Sequence, residues 1–184
     1  MNKNQTTGKE NCSAPGLAVS GGRRIYFVRH GVTEWNKLYR YQGAADIPLC
    51  EEGILQAKRA ATRMSSLCGV EKIISSPLVR SRMTAGCIAD SLGFKNVELW
   101  NELTEINFGA WEGLTVNEIV NSYGNDFYSW KQNPLHVTAT NGEPHEVVFA
   151  RAVEAAERIS RAERGNLVVV GHGAFFRPLF SALL

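Results

Sequence analysis

Residues 25–31 read Ile25-Tyr26-Phe27-Val28-Arg29-His30-Gly31. The first four are β-branched or aromatic, the composition of a buried strand. The run stops abruptly at an arginine–histidine–glycine tripeptide. A permanent cation therefore stands beside a nitrogen that titrates near neutrality, where a strand gives way to a loop. In open α/β sheets ligands bind outside the carboxyl ends of the strands. Gly31 lets the backbone turn sharply and approach such a ligand closely. The tripeptide alone says little, but its place after a strand makes it informative.

Working outward, further strand-like runs occupy residues 72–75, 96–99 (the weakest) and 167–171. Between them Ile54, Ala57, Ala61 and Met64 recur at steps of three and four, as do Val148, Ala152, Ala155 and Ile159. Each set makes one apolar helix face. Strands alternating with helices predict an α/β fold, a three-layer sandwich whose mostly parallel sheet carries helices on both faces.

The chain has 184 residues, enough for one domain burying about 70% of its unfolded surface. Lys and Arg total 20 against 18 Asp and Glu. That near balance argues against a nucleic-acid partner, for which a clustered basic excess is expected. No stretch approaches the ~20 apolar residues of a membrane span. Residues 1–22 are rich in Asn, Thr, Ser, Gly and Lys and lack the apolar core of a signal peptide. They read as a disordered leader, with the domain proper at 23–184. Cys12, Cys50, Cys68 and Cys87 are widely and irregularly spaced, which fits reduced thiols in a cytoplasmic protein better than disulfides or a zinc site.

The fourth strand ends as the first does, in a histidine: Gly171-His172-Gly173. Parallel neighbours would deliver His30 and His172 to one pocket. Ser76 can cap a helix with Pro77 at its first position, placing Arg80 one turn in, just past the second strand. Thr33 can cap a helix beginning at Glu34, with its N-terminal dipole close to His30. Taken singly, each histidine reads as a satisfied strand-end residue and Arg80 as a solvated helix charge; their convergence reads differently. Arg29, Arg80, His30 and His172 gather cationic groups with no evident balancing carboxylates. Because buried unpaired charge is costly, such a site wants an anion, and phosphate suits arginine forks best.

These residues resemble the histidine phosphatases, the phosphoglycerate-mutase-like superfamily. Val28-Arg29-His30-Gly31-Val32-Thr33-Glu34-Trp35-Asn36 is similar to its signature. Tyr41-Gln42-Gly43 followed by Asp46-Ile47-Pro48-Leu49 and Glu52-Gly53 resembles the next block. Ser76-Pro77-Leu78-Val79-Arg80-Ser81-Arg82-Met83-Thr84-Ala85 resembles the helix carrying the second arginine. The run Leu103 to Gly113 resembles the block carrying the acid, and Gly171-His172-Gly173 the second histidine block.

The resemblance implies that His30 attacks phosphorus to form a phosphohistidine while Arg29, Arg80 and His172 hold the phosphoryl oxygens. Glu105 would protonate the leaving alkoxide and then activate water. Asn36, Gln42 and Gly43 would touch phosphate or substrate. No cofactor and no metal is implied. The partners are a small phosphorylated substrate and, as an option, a second copy in a homodimer. Glu102 and Glu112, flanking the acid, read as solvated surface carboxylates. Trp111 and Phe108 read as core, and His136 and His145 as surface residues.

Only residues 114–140 separate the acid block from Asn141, and mutases of the family carry a long insertion there. The compact form resembles the short phosphatases, such as alpha-ribazole phosphatases and broad-specificity phosphomonoesterases. The expected activity is therefore phosphomonoester hydrolysis. Cofactor-dependent phosphoglycerate mutase and a non-catalytic phosphate-binding relative are the alternatives. A two-histidine metallohydrolase lacks the clustered carboxylates or cysteines such sites use. A P-loop enzyme lacks its glycine-lysine motif.

Three departures from the family pattern stand out. Val32 replaces a usual acid or Gln. Cys50 replaces a residue that caps the next helix. The chain ends at Leu184, where relatives add a last sheet strand, so a truncated carboxyl end is expected.

Overall fold

The computed structural model describes residues 22–67, 69–134, 136–161 and 165–184. The expected leader (apart from Gly22), Cys12 and Cys68 lie outside the described residues. Strands β1 (Ile25–Arg29), β2 (Val70–Ser75), β3 (Glu98–Leu99) and β4 (Asn166–Gly171) form one sheet in the order β1-β4-β2-β3. Every pairing is parallel.

The alternation of β4 explains the layers. Leu167 and Val169 face a cluster containing Ile74, Val148, Ala152, Ala155, Ile159 and Leu179. Val168 and Val170 face Ile73, Ala61, Ala85 and Ile88 on the opposite side. Helices α5 (His145–Arg161) and α6 (Phe176–Leu183) therefore cover one face, and α2 (Glu51–Ser65) and α3 (Val79–Leu92) the other. A strand buried on both faces reads as an unbroken apolar run, which is why 167–170 carries no polar residue. The α/β three-layer sandwich is as expected. β1 is an edge strand of the described sheet, its Phe27 ring meeting Phe176 and Phe180 edge-on at 5.4 and 4.8 Å.

Register sets the site. Arg29 lies opposite Gly171, and Ser75 opposite Val170. Three adjacent strands thus end together, and His30, His172 and Ser76 emerge side by side. The His30 N–H donates to Gly171 O at 3.1 Å and the Ser76 N–H to Val170 O at 2.9 Å, carrying the pairing one residue past each strand.

Two local expectations are corrected. Helix α3 begins at Val79 rather than Pro77, because Leu78 is extended (φ −64°, ψ 138°). The Val79 N–H is taken by Asp46 Oδ1 at 2.5 Å, so a loop carboxylate does the work assigned to Ser76. Arg80 consequently sits in the first turn of α3. Gly31 is required by close approach to protein, not by a turn toward ligand. A Cβ there would stand 2.3 Å from Gly53 O, and one on Gly53 would stand 2.0 Å from Val32 O. The loop after β1 therefore rests directly on the first turn of α2. Cys50 caps α2 without a side-chain bond, as expected; its thiol donates instead to Val32 O at 3.4 Å.

Beyond the sheet's carboxyl edge, Trp111, Ile119, Phe127 and Ala139 form a separate core beneath α4 (Val116–Gln132), with Tyr41, Phe108 and Trp130 packed against it. Among the described residues no helix is long and apolar enough to cross a membrane.

Candidate active site

His30 is 8% exposed. Its Nδ1 lies 2.7 Å from Gly31 O. A carbonyl only accepts, so Nδ1 carries the proton and Nε2 is left with its lone pair. Burial pulls the His30 pKa from 6.5 down to about 4, the backbone bond to Gly31 opposing and the Arg80 and Arg29 charges assisting. The ring is neutral at pH 7, the form in which a nitrogen can act as nucleophile. The short helix α1 (Glu34–Lys37) begins next door, capped by Thr33 as expected.

Arg80 is fully buried. Its two terminal nitrogens donate to Ala45 O (2.6 Å) and Gly43 O (2.7 Å). Its Nε has no partner. Burial is the main force against its charge, opposed by Glu105, Asp46 and Glu112. The expectation of cations without balancing carboxylates is therefore corrected: Asp46 and Glu112 lie near enough to favour the Arg80 charge, and Glu105 joins them when ionised. Arg29, at the end of β1, is exposed and lines the main cavity, its guanidinium alongside Gly173. His172 is fully buried, its ring centroid 5.1 Å from that of His30. Burial, then the Arg80 charge, holds it far below the ordinary histidine range.

Glu105 lines the main cavity with Arg29. Its Oε1 accepts the N–H groups of Phe175 (2.8 Å) and Ile106 (3.0 Å), and its Oε2 that of Ala174 (3.1 Å). The backbone entering α6 thus holds the carboxyl. Burial raises its pKa against these three donors and Arg80. A carboxyl that holds its proton above the usual range suits a general acid. Oε2, with one N–H donor against two on Oε1, keeps capacity for that proton.

The remaining candidates act at one remove. Asn36 Oδ1 accepts from the Thr33 N–H at 3.0 Å and closes the α1 capping box. Gln42 Oε1 accepts from Thr33 Oγ1 at 2.9 Å. Gly43 offers its carbonyl to Arg80 with φ +51°, and a Cβ there would strike Glu112 Oε1 at 2.0 Å. None of the three lines the main cavity.

Glu112 is not a solvated carboxylate. It accepts the N–H groups of Ala44 (2.8 Å), Ala45 (2.9 Å) and Phe108 (3.0 Å), and so fixes the loop whose carbonyls hold Arg80. Nothing in its spacing signals this, because its partners are backbone amides, two of them 67 and 68 residues away. Glu102 is also tied down, by an ion pair to Arg158. Arg151, which the sequence did not single out, pairs with Glu143 (2.7 and 2.8 Å) and donates to Glu102 O and Thr104 O, anchoring the approach to Glu105.

A cavity of about 520 Å3 is lined by Arg29, Glu105, Tyr41, Phe108, Trp130, Val137 and Pro178 among others, while His30, Arg80 and His172 are not among its lining residues. Phe108 packs against the Trp111 core, as expected, and also walls the cavity; His145 is corrected from surface to cavity lining. Trp111 is core and His136 exposed, as expected. Among the described residues no group of three or more His, Cys, Asp or Glu side chains is placed to hold a metal ion.

Buried donors without acceptors beside a neutral nucleophilic nitrogen and an acid make a site for an oxyanion-bearing electrophile. Residues 25–184 match the model of the histidine phosphatase superfamily (branch 1). The chain belongs to that superfamily. It is 36% identical over 164 residues to phosphoserine phosphatase 1 of Hydrogenobacter thermophilus, covering 88% of this chain and 76% of that protein. It is 32% identical over 166 residues to a probable phosphoglycerate mutase, GpmB, of Escherichia coli, covering 88% and 74%. The solved structure of a putative alpha-ribazole-5′-P phosphatase from Escherichia coli superposes with a TM-score of 0.80 at 26% identity, covering 88% of this chain and 79% of that one. As a histidine phosphatase, the chain carries His30, Arg80 and His172 on strand ends and a helix start at one edge of the sheet.

Proposed function

We propose that this protein hydrolyses a small phosphomonoester through a phosphohistidine intermediate, without metal or cofactor. The observation that carries the reading is His30: neutral, its Nδ1 proton committed to Gly31 O, its Nε2 free. The phosphoryl group sits between His30 and the donors of Arg29, Arg80 and His172. Phosphoryl transfer depends mainly on positioning and charge stabilisation, and unspent donors such as Arg80 Nε provide both. Nε2 attacks phosphorus as the phosphorus–oxygen ester bond breaks, and Glu105 gives its proton to the departing alkoxide. Water then enters; Glu105, now a carboxylate, takes its proton while the N–P bond breaks, releasing phosphate and restoring both residues.

The leaving group lies in the cavity bounded by Phe108, Trp130 and Val137. Its apolar wall and volume support a leaving group larger than a simple alkyl alcohol. A cytoplasmic location is part of the proposal, in keeping with Cys50 serving as a thiol donor.

The test is phosphate release from a panel of phosphorylated metabolites including phosphoserine, alpha-ribazole 5′-phosphate and 3-phosphoglycerate, with His30→Ala as control and acid-labile phosphoprotein trapped by rapid quench. Interconversion of 2- and 3-phosphoglycerate faster than phosphate release would replace the reading with that of a mutase. Activity surviving in His30→Ala would remove the intermediate.

A further inference from the structure

Two buried hydroxyls meet one nitrogen of His172. Its Nε2 lies 2.8 Å from Ser76 Oγ and 3.2 Å from Ser81 Oγ, and all three residues are fully buried. Each hydroxyl brings one hydrogen. Ser76 Oγ receives the Leu78 N–H at 3.3 Å, and among the described residues neither hydroxyl has another acceptor. If Nε2 carried a proton, both hydroxyl hydrogens and the Nδ1 lone pair would be left unmet in a dry interior, three groups that folded proteins avoid stranding. If Nε2 is bare, one hydroxyl donates to its lone pair and only the second hydroxyl hydrogen and Nδ1–H go unmet, one group fewer. Hydrogen-bond accounting therefore puts the ring proton on Nδ1. That Nδ1 is buried and has no partner, as is Arg80 Nε. Two orphaned donors thus belong to the two side chains flanking His30.

We infer that Ser76 and Ser81 are positioning residues that hold His172 as its Nδ1–H tautomer, so that the buried Nδ1–H donates to a non-bridging phosphoryl oxygen. The inference rests on the phosphate pocket proposed above. Holding the tautomer through hydroxyls lets a neutral imidazole bind an anion, where a protonated one would have to be charged next to Arg80. It also sets the two histidines apart. Each carries its proton on Nδ1, but His30 is fixed by a carbonyl at Nδ1 and leaves Nε2 for attack. His172 is fixed by hydroxyls at Nε2 and leaves Nδ1–H for binding.

The test is nitrogen-15 NMR of histidine-labelled protein, reading which ring nitrogen is protonated, with His172 assigned by its loss in His172→Asn and inorganic phosphate as the probe. The expected result is Nδ1–H at His172 in the free protein, unchanged on adding phosphate. In Ser76→Ala/Ser81→Ala the Nε2–H form should appear at His172 alone, and the inhibition constant of phosphate should rise about 10- to 100-fold. Ser76→Thr, which keeps a hydroxyl, should retain both wild-type values. An Nε2–H signal at His172 in the wild type overturns the inference, as does Nδ1–H with unchanged phosphate affinity in the double variant. Should the double variant fail to fold, the wild-type spectrum decides. Because the tautomer is read in the free protein, it is judged even if no ester in the panel is hydrolysed.

Discussion

At the carboxyl edge of the sheet, His30, Ser76 and His172 leave three adjacent parallel strands at the same level, and Arg80 enters from the first turn of the next helix. His30, Ser76, Arg80 and His172 are all buried there, and Arg80 Nε and His172 Nδ1 have no partner. In the adjoining cavity, whose lining includes Arg29 and Gly173, Phe108, Trp130, Val137 and Pro178 come from a loop, a helix end, a second loop and the start of α6, and offer mostly apolar surface. A rigid end set by sheet register can hold one invariant group, the phosphoryl. A wall assembled from loops can change its shape without disturbing that chemistry. Substitutions at the first end should therefore harm every substrate alike, and those at the second should reorder substrates.

The largest expected break is His30→Ala, which should lower kcat by about ten-thousand-fold or more on every ester, since a nucleophile acts as part of a unit. Arg80→Ala should follow, losing about a thousandfold in kcat/KM. It should also cost about 1–3 kcal/mol of stability, read by urea denaturation, because the carbonyls of Gly43 and Ala45 lose their buried donors. Glu105→Gln sharpens the comparison, because it stands where the two ends meet. The loss should be about 100- to 10,000-fold on alkyl phosphates and much smaller on 4-nitrophenyl phosphate, whose leaving group needs no proton.

The pH profile of kcat/KM should follow the shifted groups. His30 must be neutral, so activity should persist well below the ordinary histidine value of 6.5 and fall only as pH drops through about 4. Glu105 must be protonated, so the alkaline limb should lie above the usual carboxylate range. An acid limb near 6.5 would show that His30 is not held as described. The smallest effect belongs to the loop-built end. Phe108→Ala should change the ratio of kcat/KM between a bulky and a small ester about tenfold, leaving inhibition by inorganic phosphate unchanged. If phosphate inhibition weakens equally, the two ends are not independent.

Much of this was legible in residue order. Strand runs interrupted by helical spacing announced the layers, and the histidines were conspicuous because each follows an apolar strand. Glu105 was distinguishable from Glu102 and Glu112 only by the family motif, and the true work of Glu112 was invisible. It binds Ala44, Ala45 and Phe108 through their backbone N–H groups, and an amide carries no side-chain signature. The same reason hid Asp46 as the cap of α3 and misassigned that task to Ser76. The cavity-facing sides of Phe108 and His145 were hidden because cavity and core use similar residues and differ only in what lies opposite.

Local sequence alone determined where strands end and which reactive side chains stand at those ends, because burial on both faces demands unbroken apolar runs and any break is visible. Only the tertiary structure decided which of those ends meet, which nitrogen of each histidine keeps its proton, and which donors of Arg80 and His172 stay unspent. Those outcomes depend on hydrogen-bond partners drawn from distant segments, and a partner's distance in space is not written in its distance along the chain.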